Sequence, residues 1–356
     1  MSSPAPTEKT DLIFPPNILP SLRAVEFVCP LCRGKLNVLD DGYSCPACQK
    51  KYTLHDGIPD FRIFPDPFLS YEEDYERTEI VLAALEKFNL EKLLEHYWSY
   101  SDITPAALRP KFVRSAVLGE QRALRTLEIL DNEIKKPVKK VLEIGSGTGN
   151  FLALAAQKYE QVVGIDIAMR WLHVSRRRFM DRGLSVPPLI CCCAEFLPFA
   201  DRSFDLIVAS STLEFVRDQR KVFAECARTL DEDGTLYINS VNRYSIGRDP
   251  YAYLRLVGFL PRRWQARYVR GRRGASYENI KTLSYRELNR LSDGHFPTRK
   301  FALPEVSPAV IKEFSAGTRL QINAYRFLKK LPPFSFLLKW IGPGWDILLR
   351  KSSGKN

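Results

Sequence analysis

A turn of alternating glycines, Gly145-Ser146-Gly147-Thr148-Gly149, stands between the apolar run Val141-Leu142-Glu143-Ile144 and the helix-forming stretch FLALAAQKY. Glycines this dense serve a backbone that must visit conformations a Cβ forbids, or one that a ligand approaches closely. At a strand-to-helix junction, such a turn confines the chain to an α/β fold in which ligands sit at the carboxyl ends of parallel strands. The next apolar run ends in Gly164-Ile165-Asp166, which puts a carboxylate at the neighbouring strand tip, where a ribose diol would lie. The third glycine comes one residue earlier than in the GxGxxG turn of dinucleotide-binding folds.

The surrounding pattern agrees with that assignment. From residue 138 to 241 the runs VKKVLEI, VVGIDI, PLICCC, FDLIVAS and TLYINSV alternate with helical or turn segments, the rhythm of a doubly wound, mostly parallel sheet. Cys191, Cys192 and Cys193 fall inside one of these runs and Cys226 in a helix, positions that suit small apolar core residues. Further on, Ser284 and Glu287 form a capping box for a late helix, and WDILLRK reads as a closing strand. Residues 66–136 read as a helical linker or substrate cap: apolar residues recur at helical spacing from Tyr71 to about Asn132, interrupted by Pro105 and Pro110. Residues 1–24, rich in Pro, Ser and Thr, read as a flexible lead-in.

Residues 25–65 are punctuated by cysteine. Cys29-Pro-Leu-Cys32 and Cys45-Pro-Ala-Cys48 are two CxxC knuckles separated by twelve residues, the spacing of a zinc ribbon. Each knuckle offers two thiolates, and four thiolates close a tetrahedron around Zn2+, leaving no open position, so the predicted site is structural. The alternatives are a repeated redox motif or structural disulfides. A redox pair needs no second copy, and disulfides suit a secreted chain.

The net charge of +12 is unevenly distributed: residues 243–356 hold 23 Lys/Arg against 7 Asp/Glu, while the rest is near balance. No apolar run approaches the roughly 18 residues of a membrane span, and the start, MSSPAPTEKT, lacks a signal-peptide pattern, so a cytoplasmic location is the default expectation.

The stretches VLEIGSGTGN, VVGIDIAMRWL, AEFLPFADRSFDLIVASSTLEFVRD and ECARTLDEDGTLYINSVNR, in that order, resemble the class I S-adenosylmethionine-dependent methyltransferases of the group that includes the ubiquinone and menaquinone methylases. The resemblance implies a Rossmann-like domain over residues 137–356 with a seven-stranded sheet and a basic insert at 243–283. It further implies that Gly145, Gly147 and Gly149 surround the methionine part of the cofactor, with Glu143 beneath it and Asp166 on the ribose. The adenine-contacting acid of relatives with a GDAE motif falls on Cys193, which leaves the Ala194 backbone and Glu195 as the nearest substitutes. The Glu-x-x-Glu-His group of ubiquinone-type enzymes reads Ser211-Thr212-Leu213-Glu214-Phe215 here, so a catalytic metal is not expected and Glu214 is the candidate general base. Glu214 could equally cap or salt-bridge the following helix.

Two surplus segments are placed to shape an acceptor pocket. One is the helical insert with His96-Tyr97-Trp98 and the TPAALRP turn; the other is the stretch from Asn242 to Tyr277, which reads as a lid. Arg262, Arg263, Arg267, Arg270, Arg272 and Arg273 lie there among Phe259, Leu260, Trp264 and Tyr268. This composition suits RNA, an anionic membrane surface or a phosphorylated substrate. A zinc ribbon ahead of a methyltransferase also occurs in a ribosomal RNA guanine methylase family, so RNA methylation is the alternative. The leading expectation is a small-molecule, lipid-linked or glycan acceptor, because NRYSIG followed by GFLPRRW resembles the tail of small-molecule and lipid-type methylases; the mixed apolar and basic stretch LKKLPPFSFLLKWIGPGW suits peripheral membrane contact or, equally, a buried final helix. A non-catalytic cofactor-binding scaffold is the third class. One sequence does not fix the oligomeric state.

Overall fold

The computed structural model describes residues 20–100, 106–305, 311 and 316–351. Residues 1–19 of the expected lead-in, and the first part of the TPAALRP turn, lie outside them. Residues 20–24 depart from a flexible lead-in: they form a short 3-10 turn whose Leu22 is fully buried. A small antiparallel sheet follows, with β1 (Asn37–Leu39), β2 (Gly42–Ser44), β3 (Lys51–His55) and β4 (Ile58–Pro59) in sequential order.

Four helices come next: α1 (Tyr71–Leu85), α2 (Leu90–Ser99), α3 (Arg109–Val117) and α4 (Glu120–Glu133). Ser70 and Glu73 close a capping box at the start of α1, and Asn89 caps α2, so both helices begin where a short polar side chain satisfies free amide groups.

The large sheet is built from β5 (Lys140–Ile144), α5 (Asn150–Ala155), β6 (Gln161–Asp166), α6 (Met169–Asp181), β7 (Leu189–Cys191), β8 (Phe204–Ser210), α7 (Gln219–Thr229) and β9 (Leu230–Val241). It is completed by α8 (Arg262–Arg273), α9 (Tyr285–Ser292), β10 (Thr298–Ala302), helices Ala316–Leu328 and Pro332–Ile341, and β11 (Gly344–Arg350). Its order is β10-β11-β9-β8-β5-β6-β7, with β5 to β9 parallel and β10 and β11 antiparallel. This is the expected seven-stranded, doubly wound sheet. Strand order reverses at β5, so a crevice opens between the tips of β5 and β8.

The alternation of side chains along each strand divides the core into two layers. Val141, Leu206, Val208 and Tyr237 pack with α4, α5 and α6 on one face. Leu142, Ile207, Leu236 and Ile238 face α7, α9 and the ribbon on the other. Residues 192–203, which join β7 to β8, contain no helix. The cysteine-bearing module fills that place: Phe61 N donates to Cys191 O at 2.7 Å, Val28 N to Pro198 O at 3.0 Å, and Phe27 bridges to Phe199. Leu22, Phe27, Tyr43 and Phe61 thus belong to the same core as Ile190, Cys192 and Phe199. Cys191, Cys192, Cys193 and Cys226 are all buried. No helix among the described residues is long and apolar enough to cross a membrane.

Candidate functional site

A cavity of about 310 Å³ opens at the crevice. Its floor comes from the tips of adjacent strands: Ile144, Gly145 and Gly147 after β5, Ile165 to Ala168 after β6, Cys192 and Ala194 after β7, and Ser211 and Thr212 after β8. All three glycines of the turn have positive φ: 71° at Gly145, 50° at Gly147 and 75° at Gly149. A Cβ on Gly145 would meet Thr212 Oγ1 at 2.3 Å, whereas one on Gly147 would meet nothing closer than 4.0 Å, because Gly147 faces open space. Thr212 Oγ1 lies 3.1 Å from both the Ile144 and Ser210 carbonyls, which ties the β5 and β8 tips together. Ser211 is held at φ 52°, a left-handed conformation costly for a residue with a Cβ, and it is stored at the rim of the cavity.

Asp166 links the turn to the second strand. Its Oδ2 accepts from Gly147 N at 2.8 Å and its Oδ1 from Ala168 N at 2.9 Å. Burial pushes its carboxyl up to about 6, against the pull of those two amides. Gly145, Gly147, Asp166, Ala194 and Glu195 all line the cavity.

Glu143 and Gly149 do not line it. Glu143 lies buried beneath the turn, with Oε2 unpartnered and its carboxyl pushed well up by burial. Gly149 starts α5, and a Cβ there would strike Ser175 Oγ at 2.2 Å, so it serves close packing of the turn on α6. Glu195 is already committed as well: its Oε1 accepts from Arg217 N at 2.7 Å and Asp218 N at 3.1 Å. Cys193 points away from the cavity, with Sγ 3.4 Å from Ile63 N and 3.5 Å from Phe64 O.

Sequence reasoning missed the opposite wall, which consists of Phe64, Asp66, Pro67 and Phe68 from the stretch between the ribbon and α1. The guanidinium of Arg217 sits 4.1 Å over the Phe64 ring. A buried charge network holds this stretch. Arg62 bonds Asp60 at 2.6–3.1 Å, Asp74 at 2.7 Å and the Ile167 carbonyl at 3.2 Å. Arg170 bonds Asp66 at 3.0 Å and also Asp74, whose Oδ2 caps α6 through Met169 N at 3.0 Å. The signal was present: Arg62 in IPDFRIF is a cation inside an apolar run, and a cation placed there needs carboxylate partners.

The helical insert reaches the cavity through Trp171, which packs on Tyr97 and Trp98 at ring distances of 5.1 and 5.8 Å. His96 itself lies between Phe88 and Tyr100. On α6, Arg178 holds the Thr148 carbonyl at 2.7 Å together with Glu120 and the Ala116 carbonyl, fixing the glycine turn against α3 and α4.

Glu214 differs from the expectation of a carboxylate standing open at the cleft. It is fully buried and outside the cavity, because residues 243–283 close over it. It neither caps nor salt-bridges α7. Its Oε1 accepts from Ser240 Oγ and Val241 N, both at 2.8 Å, while Oε2 has no partner. Burial raises its carboxyl above the usual range, and the Glu214 and Asp249 charges help push the Tyr251 hydroxyl up. Tyr277 donates to Asp249 at 2.6 Å, and the Tyr251 ring packs on Phe215 at 5.1 Å.

In the ribbon, the Sγ atoms of Cys29, Cys32, Cys45 and Cys48 all lie within 4.8 Å of one another. The Cys29–Cys48 and Cys32–Cys45 separations are 3.5 and 3.4 Å, far longer than a disulfide and close to the S···S edge of about 3.8 Å in a tetrahedron of Zn–S bonds. Tyr52 places its hydroxyl 3.2 Å from Cys29 Sγ, the kind of outer contact that orients a metal ligand. The donor set fits a closed four-thiolate site.

Comparison with known proteins adds the following. Residues 142–238 match the family model described as a methyltransferase domain. The ubiquinone biosynthesis O-methyltransferase of Hahella chejuensis is 32% identical over 126 residues, 35% of this chain and 52% of that protein. The malonyl acyl-carrier-protein O-methyltransferase of Laribacter hongkongensis is 31% identical over 143 residues, 36% of this chain and 48% of that protein. Among solved structures, a SAM-dependent methyltransferase of Thermotoga maritima has a TM-score of 0.43 at 21% identity, covering 68% of this chain and 95% of that one. The chain spans about half the length of the curated relatives it matches. The match takes in the glycine turn, Asp166 and Glu214, and stops short of the ribbon and of residues 243–356. The chain therefore carries a class I S-adenosylmethionine-dependent methyltransferase domain at its centre.

Proposed function

We propose that the protein transfers a methyl group from S-adenosylmethionine to a small-molecule, lipid-linked or glycan acceptor. One observation carries this reading: two carboxylates, one at the tip of β6 and one after β8 on the other side of β5, have opposite environments. Asp166 lines the cavity with both oxygens fixed by backbone amides, whereas Glu214 is sealed beneath residues 243–283 with one oxygen tethered and one unused.

S-adenosylmethionine supplies a methyl group already activated on a sulfonium, which leaves alignment and the acceptor's proton to the protein. In this reading Gly145 and Gly147 admit the methionine end, with Glu143 and Gly149 supporting the turn from below. Asp166 accepts the ribose hydroxyls, and Ala194 and Glu195 lie on the adenine side. Glu214 takes the proton of a hydroxyl or amine acceptor. A buried carboxylate is a stronger base than an exposed one, and the tether of Oε1 to Ser240 and Val241 leaves Oε2 without a partner. Residues 243–283 act as the lid that admits the acceptor. The four cysteines hold a structural Zn2+.

A lipid-linked acceptor and peripheral membrane contact are supported by the surface beside the lid. Ile246, Phe259, Trp264, Phe327 and Phe336 are exposed there, and Ile246 N bonds Ile341 O at 3.1 Å, bringing the segments together. Apolar side chains mixed with arginine suit an anionic bilayer. RNA methylation is the second reading, favoured by the exposed arginines of α8 beside Trp264.

The test is to incubate the protein and its Glu214→Gln variant with methyl-labelled S-adenosylmethionine and cell lysate, then fractionate. Label in the organic or small-molecule fraction supports the reading, and Glu214→Gln should lower turnover by about 10²–10⁴-fold. Label in RNA replaces it with the second reading. Cofactor binding without label in any fraction leaves a cofactor-binding scaffold.

A further inference from the structure

One wall of the cofactor cavity is supplied from outside the methyltransferase domain. We propose that residues Phe64–Phe68, delivered by the cysteine ribbon, form the adenine-side wall of the cofactor site, so that metal in the Cys29/Cys32/Cys45/Cys48 cluster sets cofactor affinity. The inference rests on the reading of the cavity as the S-adenosylmethionine site.

The direction of the ligand follows from Asp166. With the ribose at that carboxylate and the methionine end at the glycine turn, the base extends past Ile167 and Ala168 toward the β7 tip. At that tip Cys193 faces the Ile63 amide and the Phe64 carbonyl, and Glu195 spends one oxygen, Oε1, on the Arg217 and Asp218 amides. The ribbon-borne stretch stands there instead, with Phe64 backed by the Arg217 guanidinium. An apolar ring beside a cation is a surface on which a purine packs.

The stretch from Arg62 to Ser70 has no regular structure of its own, so its place depends on what anchors it. Phe61 is the hinge. Its amide bonds Cys191 O, and its fully buried ring lies 5.0–5.2 Å from the rings of Phe27, Tyr43 and Tyr52. Tyr52 in turn reaches Cys29 Sγ at 3.2 Å. A continuous path of contacts therefore runs from the thiolates through Tyr52, Phe61 and Arg62 to Phe64. A ribbon this small owes much of its folding free energy to its metal, so losing the ion loosens the wall. Residues 192–203 form no helix, so among the described residues that side is covered by this stretch together with Val216 and Arg217.

The experiment measures the Kd for S-adenosylhomocysteine by calorimetry on the full chain with zinc, on chelator-stripped protein before and after zinc is restored, and on Phe64→Ala and Phe64→Tyr. Phe64→Ala should bind about tenfold more weakly with unchanged zinc content, the loss expected from removing one buried aromatic side chain, and Phe64→Tyr should recover affinity. Stripping should weaken binding at least as much, and zinc should restore it. Unchanged affinity in both Phe64→Ala and the stripped protein overturns the proposal. If stripping unfolds the whole chain by circular dichroism, Phe64→Ala decides alone. If the zinc-loaded, unmodified chain fails to bind at all, the reading of the cavity fails and takes this inference with it.

Discussion

The two sides of the cleft, which the proposed function assigns to cofactor and acceptor, are each covered by a segment outside the matched domain, but they are attached by different physics. On the cofactor side, Arg62 and Arg170 lie with side chains at most 8% exposed among Asp60, Asp66 and Asp74. On the acceptor side, residues 243–283 keep a small core of their own around Ala252, Val257, Val269 and Tyr277. Their ion pairs, Arg262–Glu287 and Arg270–Glu278, are partly or largely exposed. Buried charges are costly to strand once a partner is lost, whereas surface pairs contribute little. One cover is therefore anchored through buried charges, and the other through its own small core and more exposed ion pairs, as the proposed lid requires.

The comparison breaks most sharply at Asp74, which serves both buried arginines and caps α6. Asp74→Ala should cost about 3–5 kcal/mol in chemical denaturation, against no more than about 0.5 kcal/mol for Glu278→Ala on the lid. Equal losses would erase the distinction between the covers. Next comes the ligand side: Asp166→Ala should raise the Kd for S-adenosylhomocysteine about a hundredfold, the worth of two hydroxyl bonds to a carboxylate.

A smaller effect concerns pH. The Asp166 carboxyl is pushed up to about 6, so its charged, hydroxyl-accepting form prevails above that value. Cofactor affinity should be full near pH 7.5 and fall as pH drops through 6, by at most about tenfold per unit, with a flat response in Asp166→Asn. In the free protein the raised value has the opposite sign: stability from this group declines as pH rises from about 4 toward 6, because the native state holds the proton longer. The smallest effect belongs to the lid surface. Trp264→Ser and Phe336→Ser should leave stability within about 0.5 kcal/mol, while sedimentation with anionic vesicles weakens; unchanged sedimentation would argue against a membrane-facing cover.

The parts of this molecule that sequence discloses are those with local signatures. Short continuous apolar runs located β5 to β9 and β11, the Ser284–Glu287 box located α9, and glycine spacing located the cavity floor. β10, with only half-buried or exposed residues in TRKFA, carries no such apolar run, and its pairing with β11 spans the helices Ala316–Leu328 and Pro332–Ile341. The Phe64–Phe68 wall was illegible for a related reason. Its position is set by partners as distant in sequence as Ile167, Arg170 and Cys191, and spacing says nothing about which strand edge a ribbon will cover. Glu214 was legible as a carboxylate near the reacting end, but its burial depends on the fold of residues 243–283.

The helix-free join between β7 and β8 also bears on how the chain is made. Synthesis releases the ribbon well before the β7 edge it covers: Phe61 and Cys191 are separated by 130 positions, which is roughly 6 to 26 seconds of translation at about 5–20 residues per second. During that interval Phe61 has Phe27, Tyr43 and Tyr52 to pack against, all inside the ribbon. The ribbon can thus mature as an early unit and then present a finished surface on which the β7 edge docks. With the proposed ion in the cysteine cluster, metal supply in the first moments of a nascent chain's life would govern the yield of folded protein.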